Sequence, residues 1–176
     1  MLCHASVSRS RQLVLGIVLC GVALATVLAT SGVAIAATTP PRKELLRAIN
    51  RARAAHGIKR VMGSSALRAA ALRHSEDMVA RSYFAHTSPS GSTITYRIEH
   101  SGFVYGYSWR AGETLAWGSG WHATASATVA AWLKSPPHRV ILLSRGFHWV
   151  GIGRNCGRFI GHPDACVWTA DFVMRR

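Results

Sequence analysis

The order of patterns along this chain predicts an α+β layered domain. Helical periods dominate its first half, and a β-hairpin pattern closes it. No internal repeat or low-complexity tract interrupts the two beyond an apolar leader. Helices segregated from an antiparallel hairpin pack against it in layers around one core.

The leader comes first. Arg9 and Arg11 precede a long apolar run, residues 13–37, and Ala34-Ile35-Ala36 supplies an A-x-A pattern. A charged region, an apolar region and small residues in that order read as a secretory signal cleaved after Ala36, a segment that engages the membrane during export. The competing reading is an uncleaved anchor, because 25 residues are enough to span a bilayer. The domain then lies outside the cell, secreted or tethered by its N-terminal helix. Cys20 follows Leu19, too large a residue for a lipoprotein processing site. The expected organisation is leader 1–36, linker 37–42 and domain 43–176.

Residues 43–56 carry Leu45, Leu46, Ile49 and Ala52 on one helical face, and Gly57 stops the helix. Ser64 or Ser65 caps a second helix reaching about Arg81, with Leu67, Ala70, Ala71, His74 and Met78 as its apolar stripe. Residues 82–92 form a loop holding His86, and 93–100 form a short third helix stopped near Gly102. Residues 103–109 alternate aromatic and small side chains, which reads as extended chain. A strand starts at about Gly112. Residues 124–134 form a helix with Val129, Trp132 and Leu133 inward. Pro136-Pro137 breaks it, and Pro137 opens the next helix, 138–144. Residues 147–152 and 165–173 read as two hairpin strands joined by an arm that holds Cys156 and Cys166.

Composition narrows the partners. The chain has 176 residues and a net charge of +14, and 18 of its 21 basic residues are scattered arginines. Cleavage leaves 140 residues at +12, because the leader carries two arginines and no acid. That length suffices for one domain with a substantial core. Such a surface attracts anionic wall polymers or lipid headgroups. Nucleic acid is not expected, since no basic motif is interleaved with aromatics and export removes the encounter. Cys156 and Cys166 form an even pair in an oxidising compartment, so a disulfide is expected. A metal reading that adds His162 is the weaker one.

Chemistry concentrates in three turns: Phe84-Ala85-His86-Thr87-Ser88-Pro89, Gly112-Glu113-Thr114-Leu115-Ala116 and Ser135-Pro136-Pro137-His138-Arg139. Two imidazoles can hold a divalent metal such as zinc with positions left open for water or a small ligand. Glu113 is then a third ligand, an orienter of one histidine, or a base for bound water, and so the candidate catalytic residue. The competing reading makes each histidine a loop-stabilising hydrogen-bonding residue. The other histidines have no sequence partner and are expected at the surface or satisfied in the core. Gly151-Ile152-Gly153 lacks the third glycine of a dinucleotide fingerprint and reads as a close backbone approach in a strand. No G-x-S-x-G elbow occurs.

Taken in order, these segments resemble the CAP superfamily (cysteine-rich secretory proteins, antigen 5, pathogenesis-related proteins) in its bacterial secreted form. Leu46-x-x-x-Asn50-x-x-Arg53 and His74-Ser75-x-Asp77-Met78 resemble its first two helices. Phe84-Ala85-His86, Gly112-Glu113-Thr114-Leu115-Ala116 and Ser135-Pro136-Pro137-His138-Arg139 resemble its histidine and glutamate motifs. Val150-Gly151-Ile152-Gly153 and Thr169-x-Asp171-Phe172 resemble its last strands. Thr114 stands where Asn is usual, and Pro137 where Gly is commoner.

The resemblance implies a three-layer α-β-α sandwich with His86, Glu113 and His138 around a surface cleft. It also implies a fourth acidic position, which here is Ser135. A second carboxylate for proton shuttling is therefore missing. The leading expectation is a secreted module that binds a divalent metal, a small ligand or a lipid in this cleft. The alternatives are a metal-assisted hydrolase of peptide or wall material using Glu113, and a protein-interaction domain with a vestigial cleft.

Overall fold

A computed structural model of the chain describes residues 40–176. The expectations for the leader, its cleavage point and its anchoring alternative fall outside the described residues. Among those described, no helix is long and apolar enough to cross a membrane. Helix α1 (Pro41–Ala55) begins within the segment read as linker. Proline suits a helix's first position, where the missing N–H has no partner to lose. Gly57, at φ +63°, ends the helix as expected.

A two-residue strand β1 (Met62–Gly63), too short to read from sequence, leads into α2 (Ser65–Ala80). Ser64 caps α2 by accepting from the Leu67 amide. Then follow α3 (Ile94–Glu99), β2 (Trp109–Ser119), a 3₁₀ turn (Gly120–Ala123), α4 (Ala125–Lys134) and α5 (Pro136–Leu142). Strands β3 (Trp149–Phe159) and β4 (His162–Arg175) finish the chain. The sheet order is β1-β3-β4-β2, with β4 antiparallel to both neighbours and β1 parallel to β3.

The two faces of β4 explain the layering. Trp168, Ala170 and Phe172 point to one side, where Leu45 and Ile49 of α1 and Val129 and Trp132 of α4 meet them. Val167 and Val173 belong to the opposite side, with Leu67 and Met78 of α2 and Ile98 of α3. A strand alternates its side chains at period two, so a sheet covered on both faces is apolar throughout. The result is the three-layer α-β-α sandwich. Each fully buried Leu, Ile or Phe in it stabilises the fold by about 1.5–3 kcal/mol. The buried indoles are satisfied as well: Trp132 donates to Leu115 O at 2.9 Å and Trp168 to Ala123 O at 3.1 Å.

Two further details differ from expectation. Residues 103–108 turn rather than extend: Gly102 and Gly106 have positive φ, and Tyr105 is 90% exposed. The final strands are also longer than the sequence pattern suggests. The disulfide Cys156–Cys166 therefore joins directly paired positions inside the β3–β4 ladder, not a connecting arm. A two-residue turn at Ile160-Gly161 closes that hairpin, and Ile160 is held at φ 44° where glycine or asparagine would be favoured.

Buried polar groups fix the loops that carry the candidate site. Asn50 exchanges two hydrogen bonds with the backbone of Val61, at 3.0 and 2.8 Å. Arg53 is fully buried and donates to the carbonyls of Lys59, Leu142, Ser144 and Phe147 at 2.8–3.1 Å. It ties the end of α5, the helix carrying His138, to α1. Burial lowers the Arg53 pKa. The carbonyl cage supplies the hydrogen bonds that a buried cation requires.

Candidate functional site

The site is organised by β2, the last strand in the sheet order. Glu113 lies on it, level with Asp171 of β4, and is almost fully buried. Both of its oxygens are engaged. His86 Nδ1–H donates to Oε1 at 2.7 Å, and Arg97 from α3 donates to Oε2 at 2.6 Å. Arg97 also donates to the carbonyls of Ser92 at 2.9 Å and His86 at 3.0 Å. One guanidinium thus holds both the carboxylate and the loop that brings His86 to it.

The bond to Glu113 raises the His86 pKa against the opposing effect of burial. Burial alone would push Glu113 up; hydrogen bonding to His86 and the charge of Arg97 outweigh it, and the carboxyl stays below its ordinary range. The two partners differ in access. The His86 side chain is 56% exposed and the Glu113 side chain 1%. A carboxylate accepting from one ring nitrogen fixes the tautomer and orientation of an imidazole, leaving Nε2 as a free lone pair.

His138 stands apart from this pair in kind. It makes no hydrogen bond or ion pair among the described residues, and burial followed by the charge of His86 lowers its pKa. An unbonded imidazole kept neutral beside a second imidazole is a competent lone-pair donor. Ser135, at the fourth position of the motif set, is the junction between α4 and α5.

Three further groups were given no part in the site by the sequence reading. His74 is buried in α2, as its place in the apolar stripe and the satisfied-core expectation imply. Its Nε2–H donates to Ala85 O at 3.0 Å, and it lies 4.0 Å from Glu113 Oε2. Burial lowers its pKa, although the charge of Glu113 opposes this. The Tyr83 hydroxyl donates to Asp77 Oδ2 at 2.6 Å and lies 2.9 Å from Ser88 Oγ, bracing the same loop. The third is Asp171.

Asp171 is completely buried, and neither of its oxygens receives a hydrogen bond among the described residues. Burial first, then the charge of Glu113, raises its pKa well above the usual carboxylate range, with Arg97 opposing. Burial without a hydrogen bond beside a second carboxylate disfavours the charged form, so the neutral acid is the favoured one. The folded state therefore retains a proton that the unfolded chain releases above pH ~4. Stability from Asp171 is full below that pH and declines as pH rises toward the folded pKa. Glu113 has the opposite sign: its contribution is present above pH ~4.5 and is lost as pH falls through its lowered pKa. Asp171→Asn keeps the size of the side chain and removes the titration. In urea denaturation its stability relative to wild type should grow as pH rises from about 5 toward the raised folded pKa. A difference independent of pH would contradict the neutral-acid assignment.

Comparison with known proteins identifies this architecture. A family model described as the cysteine-rich secretory protein family, CAP, matches residues 46–172. An uncharacterized membrane protein of Bacillus subtilis, YlbC, is 30% identical over 137 residues, which are 78% of this chain and 35% of that protein. An extracellular protein containing a SCP domain from Bacillus anthracis superposes with a TM-score of 0.63 at 25% identity, over 76% of this chain and 40% of that one. An outer surface protein from Borrelia burgdorferi shares the fold, with a TM-score of 0.63 at 20% identity over 78% of this chain and 97% of its own. This chain spans 35–46% of the length of the curated relatives it matches.

Proposed function

We propose that this chain, which belongs to the cysteine-rich secretory protein (CAP) family, is an exported module that acts by binding rather than turnover. Its His86 and His138 would hold a divalent metal of the zinc type, and Glu113 would orient the first imidazole. The observation that carries this reading is the 2.7 Å bond from His86 Nδ1 to a buried carboxylate. That arrangement is how metal-binding histidines are aimed. Among the described residues no group of three or more His, Cys, Asp or Glu side chains is placed to hold a metal. The protein then supplies two ligands, and water or an incoming ligand completes the coordination. Bound there, a zinc ion would supply an electrophilic anchor for an anionic or carbonyl group.

Hydrolysis is the weaker reading on the same geometry. A general base needs proton affinity near the working pH. Glu113 is held in the opposite direction by its hydrogen bond from His86 and the charge of Arg97, and Ser135 stands where a second acid would act. The export half of the proposal draws on the leader-like N terminus and on similarity to a protein described as extracellular.

Calorimetric titration with zinc at pH 7.5 tests the metal. Wild type should take up one ion, and His86→Ala and His138→Ala should each weaken binding at least tenfold. Glu113→Gln should fall between, since losing the partner that aims a metal-bound histidine typically costs 10–100-fold in affinity. Identical titrations for wild type and both histidine variants would leave the family fold without this site and favour an interaction module with a vestigial cleft.

A further inference from the structure

A second concavity opens beside the Glu113 cluster, between α2, α3 and the loop carrying His86. Its volume is about 420 Å³, within the roughly 300–1,000 Å³ range of small-molecule sites. Its walls are polar, and their groups divide into two sets. One set is already committed. Asp77 is engaged by Tyr83 and Arg81, Ser88 lies against Tyr83, and His74 donates to Ala85. The other set has nothing to bind. Arg73 makes no ion pair and no hydrogen bond among the described residues, and the hydroxyls of Ser90, Ser92 and Tyr96 likewise have no partner there.

Two features make the uncommitted set more than a solvated surface. Tyr96 is 52% exposed and stacks on His100 at 3.8 Å with 25° between the rings, which makes a flat aromatic wall. The ring of His100 is fixed by its Nδ1–H donating to Tyr96 O at 2.8 Å, so its other nitrogen remains an acceptor. Arg97, 7% exposed, is also part of the lining, and its Nε is a buried donor without a partner among the described residues. The cavity thus combines a cation free to pair, several free hydroxyls, and an aromatic plane.

We propose that this cavity binds a sugar unit bearing an anionic substituent, a phosphate or a carboxylate. Arg73 would take the anion, since a guanidinium's donor fork matches both groups. Ser90, Ser92 and the free nitrogen of His100 would take sugar hydroxyls. The Tyr96–His100 wall would accept the ring's C–H face. A bare inorganic anion would leave the hydroxyl groups and the aromatic wall unused, and a neutral sugar would leave Arg73 unpaired. The inference names the ligand class of the exported binding module proposed above, but it does not depend on the metal.

Glucose 6-phosphate, glucuronate, glucose and inorganic phosphate serve as probes, titrated into the full chain and followed by calorimetry and amide NMR shifts. At least one sugar anion should bind at least fivefold more tightly than phosphate or glucose, with shifts centred on residues 90–100. The preferred anion tells phosphate from carboxylate. Arg73→Gln should weaken that binding at least tenfold, and Tyr96→Ala should also weaken it. Both variants should leave zinc uptake unchanged, and His86→Ala should leave sugar binding unchanged. Three results would overturn the proposal: no binding of either sugar anion at concentrations on the order of 10 mM, inorganic phosphate binding as tightly as they do, or Arg73→Gln binding like wild type.

Discussion

Replacing Arg97 with leucine will destabilise the protein by about 3–5 kcal/mol, as expected when one partner of a buried ion pair is removed. The carboxylate of Glu113 would keep its place in the sheet, with only 1% of its side chain exposed, and would lose the 2.6 Å bond that balances its charge. Asp171, level with it on β4, is an acid whose pKa burial raises, and it offers no positive charge in compensation. The His86 loop loses two of its ties at once, because the Ser92 and His86 carbonyls are bonded by the same guanidinium. Urea denaturation of wild type, Arg97→Leu, Glu113→Gln and the double variant measures the effect. The double variant should recover much of the loss, since it buries no unpaired charge. A single-variant cost below about 1 kcal/mol, the figure typical of exposed pairs, would show that water reaches Glu113.

The same cluster shows where sequence reading succeeds and where it stops. His86, Glu113 and His138 were legible because each stands among proline, glycine or serine in the sequence, although only His86 lies in a loop, with Glu113 on β2 and His138 on α5. Arg97 had no such frame. It is one of many scattered arginines, on a six-residue helix, and only the fold decides which of them is buried. Its partner is 16 residues away on a strand, a separation that no helical period encodes. Asp171 did leave a trace: a lone acid inside the apolar run of β4 is costly unless its charge is removed. Its position level with Glu113 follows from the β2–β4 register, which is a property of the sheet and not of either strand. The alternation of Phe103, Tyr105 and Tyr107 misled for a related reason. Period two signals a strand only when one face is buried, and here only Phe103 is.

Introducing one methyl group at Gly153 should destabilise the protein by about 3 kcal/mol or more, at or above the usual range for overpacking a core. A Cβ there would meet Ala71 O at 2.3 Å and Ala71 C at 2.4 Å, and one at Gly151 would meet Leu67 C at 2.3 Å. These are backbone atoms of α2, so no rotamer change relieves the contact, and the helix itself must lift from the sheet. Lifting α2 breaks more than packing. Ser75 leaves its 2.9 Å bond to Thr169, and His74 draws away from the Ala85 carbonyl that steadies the His86 loop. Gly157 provides the control on the same strand. A Cβ there would meet only the side-chain methyl Cγ1 of Val79, at 3.2 Å, and that methyl can move. Gly157→Ala should therefore lie within about 1 kcal/mol of wild type, while Gly153→Ala unfolds at much lower urea. If the two alanine variants had the same midpoint, α2 would not be seated on the glycines of β3, and the close approach that places His74 beside Glu113 would need another cause.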